Sequence, residues 1–158
     1  MPLATSADAI MSAMRIYFAG AISGGRDDLS IYQYIIGRLQ ALGHTVPTEH
    51  VANPSVFEEE SAMAPRAVYE RDMAWLQQCD AMIAEVSTPS LGVGFEIAHG
   101  LQRGLPVLCL YREGLSVSKM ITGNTSPNLT VAGYFNQHEL DHHVDRFLAA
   151  QHSTNPGI

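Results

Sequence analysis

Apolar positions along the chain fall into two kinds of run. Short blocks with almost no polar interruption, "RIYFAGA" at 15–21, "AMIAEV" at 81–86, "PVLCLY" at 106–111 and "NLTVAGY" at 128–134, have the length and continuity of strands buried on both faces. "HTVPT" at 44–48 reads as one further short strand. Between these blocks apolar residues recur at helical spacings. Ile31, Ile35, Leu39 and Leu42 form one such face, closed by Gly43, and Val68, Asp72, Trp75 and Leu76 form another after Pro65. A third helix is expected from about Gly94 to Arg103, ended by Gly104, and an amphipathic helix over 136–151 closes the chain. The segment "EHVANPSVFEEESAMAP" at 49–65 is acidic and holds two prolines, and reads as a loop over the site or a partly ordered lid.

Strands alternating with helices predict an α/β fold. The expectation is a flavodoxin-like Rossmann arrangement, a five-stranded parallel sheet of order 2-1-3-4-5 with helices on both faces. Such sheets bind ligands at their carboxyl edge, where the strand order reverses. The loop after strand one (Ile22, Ser23, Gly24, Gly25, Arg26) and the loop after strand three (Ser90 to Glu96) face each other there. At 158 residues the chain fits one domain, 14–151, with tails at 1–13 and 152–158.

Charge narrows the ligand. A net charge of −7 with Lys119 as the sole lysine argues against a surface for nucleic-acid polymers. A small phosphorylated molecule remains open, because backbone N–H groups and one arginine suffice to hold a phosphate. No stretch is long and apolar enough for a bilayer, and the first residues lack a secretory pattern. A cytoplasmic protein is expected, with the nucleus open in a eukaryote. Cys79 and Cys109 fit packed thiols better than a zinc site or a disulfide framework.

In "SLGVG", Ser90, Gly92 and Gly94 lead into a helix, where bare backbone can approach an anion. The pattern is neither the dinucleotide fingerprint nor a Walker loop, so NAD and ATP are poor guesses. Glu96 would sit in that helix's first turn, where an acid favours the helix dipole, or it attacks something bound nearby. Asp72 is a carboxylate on an apolar face, either an edge charge or a second reactive acid. Two carboxylates reaching one crevice suit glycosyl chemistry, one at the anomeric carbon and one managing the leaving group's proton. Tyr17 is a core residue whose hydroxyl needs a partner, and His50 opens the long loop. Glu85, ending strand three, is a strand-end acid or orients a neighbour. His138, His142 and His143 read as a solvated helix face rather than a metal site.

"IYFAGAISGGR", "TEHV", "YERDMAWLQQCD" and above all "AEVSTPSLGVGFEIAHG" resemble the nucleoside 2-deoxyribosyltransferase superfamily. Within it they look most like the 2′-deoxynucleoside 5′-monophosphate N-hydrolases, the Rcl-type enzymes. The resemblance implies a homodimer without metal or redox cofactor that acts on a small nucleotide. It implies that Glu96 attacks C1′, that Asp72 positions the sugar and helps protonate the base, and that Tyr17 lies near the sugar. Ser90 and Gly92 match the phosphate loop, and Ser118 matches a serine reaching the partner's site. The family commonly has Gly-Ser-Ile-Arg-Gly-Gly where this chain has Gly20-Ala21-Ile22-Ser23-Gly24-Gly25, with Ser23 and Arg26 as replacements for the lost groups. Three alternatives share these residues: a deoxyribosyltransferase, a CMP-type ribonucleotide N-glycosidase, and a nucleotide sensor without turnover.

Overall fold

Odd and even strand positions serve different cores. In the computed structural model, which describes residues 12–22 and 28–153, four parallel strands form one sheet in the order β1-β2-β3-β4. They are β1 (Ile16–Ala19), β2 (Ala81–Glu85), β3 (Val107–Arg112) and β4 (Leu129–Tyr134). Because successive side chains point to opposite faces, Ile16, Phe18, Ile83, Leu108 and Leu110 enter one core, and Tyr17, Ala19, Met82, Ala84 and Cys109 the other. The first core is capped by α1 (Leu29–Ala41) and α6 (Gln137–Ser153), through Tyr32, Ile35, Leu39, Leu140 and Val144. The second is capped by α3 (Pro65–Gln78) and α4 (Leu91–Gln102), through Leu76, Val93 and Ile97. Helices therefore cover both faces, as expected of such sheets.

Punctuation follows backbone chemistry. Pro65 starts α3 at a position whose N–H would have no helical partner. Gly43 (φ +90°) follows α1 and Gly104 (φ +79°) follows α4, each in a conformation that side chains resist. Gly20 is bare for a steric reason: a Cβ there would lie 2.7 Å from Cζ of Tyr32, whose hydroxyl accepts the Ala21 N–H at 3.0 Å. Both cysteines are buried and unbridged, and burial pushes the thiols up to about 11 for Cys79 and about 12 for Cys109.

The five-stranded expectation is corrected to four among the described residues. "HTVPT" contributes one parallel bridge, Thr45 to Arg15, at the edge assigned to strand two. Pro47 offers no N–H, and a 3₁₀ turn at Glu49–Ala52 follows at once, so the ladder stops. Thr48 continues it with its side chain. Its Oγ1 accepts the Phe18 N–H at 2.9 Å and donates to Phe18 O at 2.7 Å.

Four other features differ. The segment 49–65 is not a bare loop, since it holds that 3₁₀ turn and α2 (Val56–Ser61), anchored by buried Val51 and Val56. A one-turn helix, α5 (Lys119–Thr122), precedes β4, and α6 runs through Ser153, past the expected end at 151. Helix α4 begins at Leu91, so Gly92 and Gly94 lie inside it.

Candidate active site

The register of β1 sets the site. Tyr17, the second residue of β1, points to the α3–α4 face, and its hydroxyl donates to Glu96 Oε1 at 2.5 Å. With α4 starting at Leu91, Glu96 is in the second turn, and no acid occupies the first. That removes the helix-end explanation for Glu96, because the unpaired N–H groups are a turn away. Burial pushes its carboxyl up to about 7; the Tyr17 hydrogen bond opposes the shift and the Asp72 charge adds to it. Tyr17 itself is driven upward by burial and by Glu96. A carboxyl near 7 beside a fixed donor can exist as a nucleophilic anion at neutral pH.

Asp72 reaches the same cavity from α3. This cavity, about 180 Å³, is lined by Tyr17, Ile22, His50, Asp72, Ser90, Gly92 and Glu96 among others. Seven expected site residues thus come together. Burial raises the Asp72 carboxyl, while its hydrogen bond and charge contact with Arg71 act the other way. Ser90 is the N-cap of α4, its Oγ accepting the Val93 N–H at 3.3 Å, and a Cβ added to Gly92 would meet only Ser90 Oγ, at 3.8 Å. The backbone at the mouth of α4 is therefore open to an approaching group. Ser23, Gly24, Gly25 and Arg26 lie outside the described residues.

Ser118 is not in this cavity. It caps α5, accepting the Met120 N–H at 3.2 Å, and lines a separate apolar depression of about 700 Å³ that it shares with Ser90, Val93 and Ile97. Among the described residues, no three His, Cys, Asp or Glu side chains converge as metal ligands would, and His143 Nε2 is engaged with Gly133 O at 2.9 Å. No helix among those residues is long and apolar enough to cross a membrane.

Sequence reasoning missed Glu60 and Arg71. Glu60 comes from α2 and lines the cavity; Arg71 pairs with both Glu60 and Asp72. His50 Nε2 lies 3.2 Å from Arg71 Nη2 and 3.4 Å from Glu60 Oε2, and its ring is 5.3 Å from that of Trp75. Burial and the Arg71 charge lower His50, which favours the neutral ring, while Glu60 and Asp72 act the other way. The segment 49–65 is expected over the site as an acidic loop or lid, and its spacing does not single out Glu60; buried Val56 and the contacts of Glu60 with Arg71 and His50 fix α2 there.

Three comparisons bear on the family and the fold. Residues 16–147 match the family model described as nucleoside 2-deoxyribosyltransferase. The chain is similar to the 5-hydroxymethyl-dUMP N-hydrolases of Rattus norvegicus (38% identical over 139 residues, 85% of each chain) and Homo sapiens (39% over 139 residues, 85% of this chain and 79% of the relative). In fold it is similar to the CMP N-glycosidase BcmB of Clostridium botulinum, with a TM-score of 0.62, 21% identity, and coverage of 84% of this chain and 98% of that one. On the family match and the identity to full-length relatives, the chain belongs to the nucleoside 2-deoxyribosyltransferase family.

Proposed function

We propose that the protein is an N-glycosidase that hydrolyses 2′-deoxynucleoside 5′-monophosphates to free base and 2-deoxyribose 5-phosphate. The carrying observation is the Tyr17–Glu96 hydrogen bond at 2.5 Å on the wall of a cavity that Asp72 shares. In the first half, a Glu96 oxygen bonds to C1′ as the C1′–N bond breaks. The electron pair stays on the base nitrogen, which takes a proton from the Asp72 carboxyl. In the second half, water bonds to C1′ and gives its proton to Asp72, and the C1′–O bond breaks to restore Glu96. Two displacements at one carbon give net retention.

Cavity size fits the division of labour. About 180 Å³ is small beside the usual ligand pocket, so it encloses the sugar and leaves phosphate and base at its rim. Ile22, Ser90 and Gly92 take the phosphate end, and His50 faces the base end. Tyr17 packs against the sugar where a 2′-hydroxyl would crowd it, which favours deoxyribose.

A homodimer belongs to the same proposal. Leu91 (97% exposed) and Met120 (83%) stand along the apolar depression between Ser90 and Ser118. Such a contiguous apolar surface suits pairing with a second copy, which would bring one protomer's Ser118 toward its partner's phosphate loop.

A chromatographic assay for free base tests the function. Deoxynucleoside monophosphates, their ribose counterparts and unphosphorylated nucleosides are each incubated with and without a second base. Release from the deoxynucleotides alone is expected. Base exchange on nucleosides would make the protein a transferase, release from ribonucleotides alone a ribonucleotide glycosidase, and no release anywhere a binder without turnover.

A further inference from the structure

One guanidinium ties three elements of the site together. Arg71 Nε donates to Asp72 Oδ1 at 2.9 Å, Nη2 pairs with Glu60 on α2 and approaches His50 in the 3₁₀ turn, and Nη1 donates to Met63 Sδ at 3.5 Å. Its Cζ lies 4.9 Å from the centre of the Trp75 ring. Adjacent residues on a helix point in different directions, so the contact with Asp72 forms only because the Arg71 side chain curls back along α3. The ring and the α2 carboxylate hold it in that pose, and the flat fork of a guanidinium serves both carboxylates at once.

The two-step reaction makes conflicting demands on Asp72. In the first half it must give up a proton, and in the second it must accept one from water. Burial favours the protonated form, which serves only the first. The other charged or titratable groups around it are Glu60 on α2, His50, Glu96 on α4 and Tyr17 on β1. Of all these neighbours, Arg71 makes the direct hydrogen bond and supplies a permanent positive charge.

We propose that Arg71 is a positioning residue for the second half of the reaction, holding the Asp72 carboxylate at the cavity wall in the charged form that takes the proton from water. The inference rests on the Glu96 mechanism proposed above. Water bonds to C1′, its proton passes to Asp72, and the electron pair of the breaking C1′–O bond returns to Glu96. Arg71 remains protonated throughout and exchanges no atom.

The test is pre-steady-state kinetics of the full chain on a deoxynucleoside monophosphate that the wild type turns over, with acid quench and intact-protein mass. In Arg71→Met the first-turnover burst of free base should stay within about threefold of wild type, while steady-state turnover falls about tenfold or more. The glycosyl-enzyme should accumulate as a mass increase of the protein, and the acidic limb of steady-state turnover should move to higher pH. Arg71 also acts through space on Glu96, so the ratio of the two halves is the decisive quantity. Arg71→Lys keeps a charge without the fork, so its accumulation should be intermediate; it also carries the test if Arg71→Met does not fold. Equal slowing of both halves, with no adduct and an unshifted limb, would overturn the inference. A Glu96→Gln variant that releases base at the wild-type rate would instead remove the Glu96 mechanism, and this inference with it.

Discussion

Two groups of carboxylates lie at the carboxyl edge of one sheet, and they differ in what they face. Glu85, fully buried, points to the α1–α6 side, where Ser87 Oγ and Tyr134 OH donate to it and the Ser87 N–H lies 3.3 Å away. Nearby Asp28, 1% exposed, is held by Arg112 and by Thr88 Oγ1 at 2.6 Å, which joins the end of the first loop to the loop after β2. Glu96 and Asp72, on the other side, each have one close donor and open into a cavity. Burial raises the carboxyl of Glu85, as it does those of Glu96 and Asp72. Perturbation alone therefore does not mark a reactive acid. Saturation by fixed donors makes an anchor, and an unfilled side toward empty space makes a reagent.

The largest effect should come from breaking the reactive group. Glu96→Gln should lower base release by about 10³-fold or more, since no nucleophile remains. It should also sharpen the contrast in stability. Because the folded Glu96 carboxyl titrates near 7 rather than in its ordinary range, its contribution is complete in acid and is lost as pH rises through 7. Glu96→Gln should therefore be more stable than wild type at pH 8, by about 2 kcal/mol, with little gain at pH 4. Thermal melts at both pH values check this, and an equal change at both would contradict it.

Breaking the anchor should have the opposite signature. Glu85→Ala leaves the Ser87 and Tyr134 hydroxyls without their acceptor and should cost about 2–4 kcal/mol by denaturant titration. Base release per folded molecule should change by less than about threefold, a far smaller loss than in any substitution of Glu96. A Glu85 variant that is stable but inactive would move Glu85 into the reactive group. The smallest effect in free energy, about 1.4 kcal/mol, concerns Tyr17→Phe. Losing the donor raises the Glu96 carboxyl further, so activity at pH 7 should drop about tenfold and partly recover at higher pH. Testing dCMP and CMP on the same variant shows whether the phenol also excludes ribose, and unchanged selectivity would sink that part.

What was legible in the sequence tracks what depends on burial. Strands β1, β2 and β3 show as apolar runs because both faces are covered, and strand order puts Glu96, Asp72 and Tyr17 near one edge. The fifth strand failed because a ladder needs N–H groups, and its work at Phe18 passed to a threonine hydroxyl. The start of α4 was misjudged because Gly92 and Gly94 look like loop, although the Ser90 cap precedes them both. Arg71 could not be seen at all, since its contact with the next residue depends on a curl of the side chain that spacing does not record.

Gly20 carries a consequence for how this pocket can diversify. The aromatic ring of Tyr32 fills the space where a Cβ would go, and that ring belongs to the core rather than to any ligand. The route to new substrates is thus fenced from behind. Variation can accumulate beyond this point in the loop, while Gly20, which follows β1, stays fixed by packing. Laboratory libraries aimed at altered nucleotide preference would recover few viable clones at position 20, whatever substrate was used for selection.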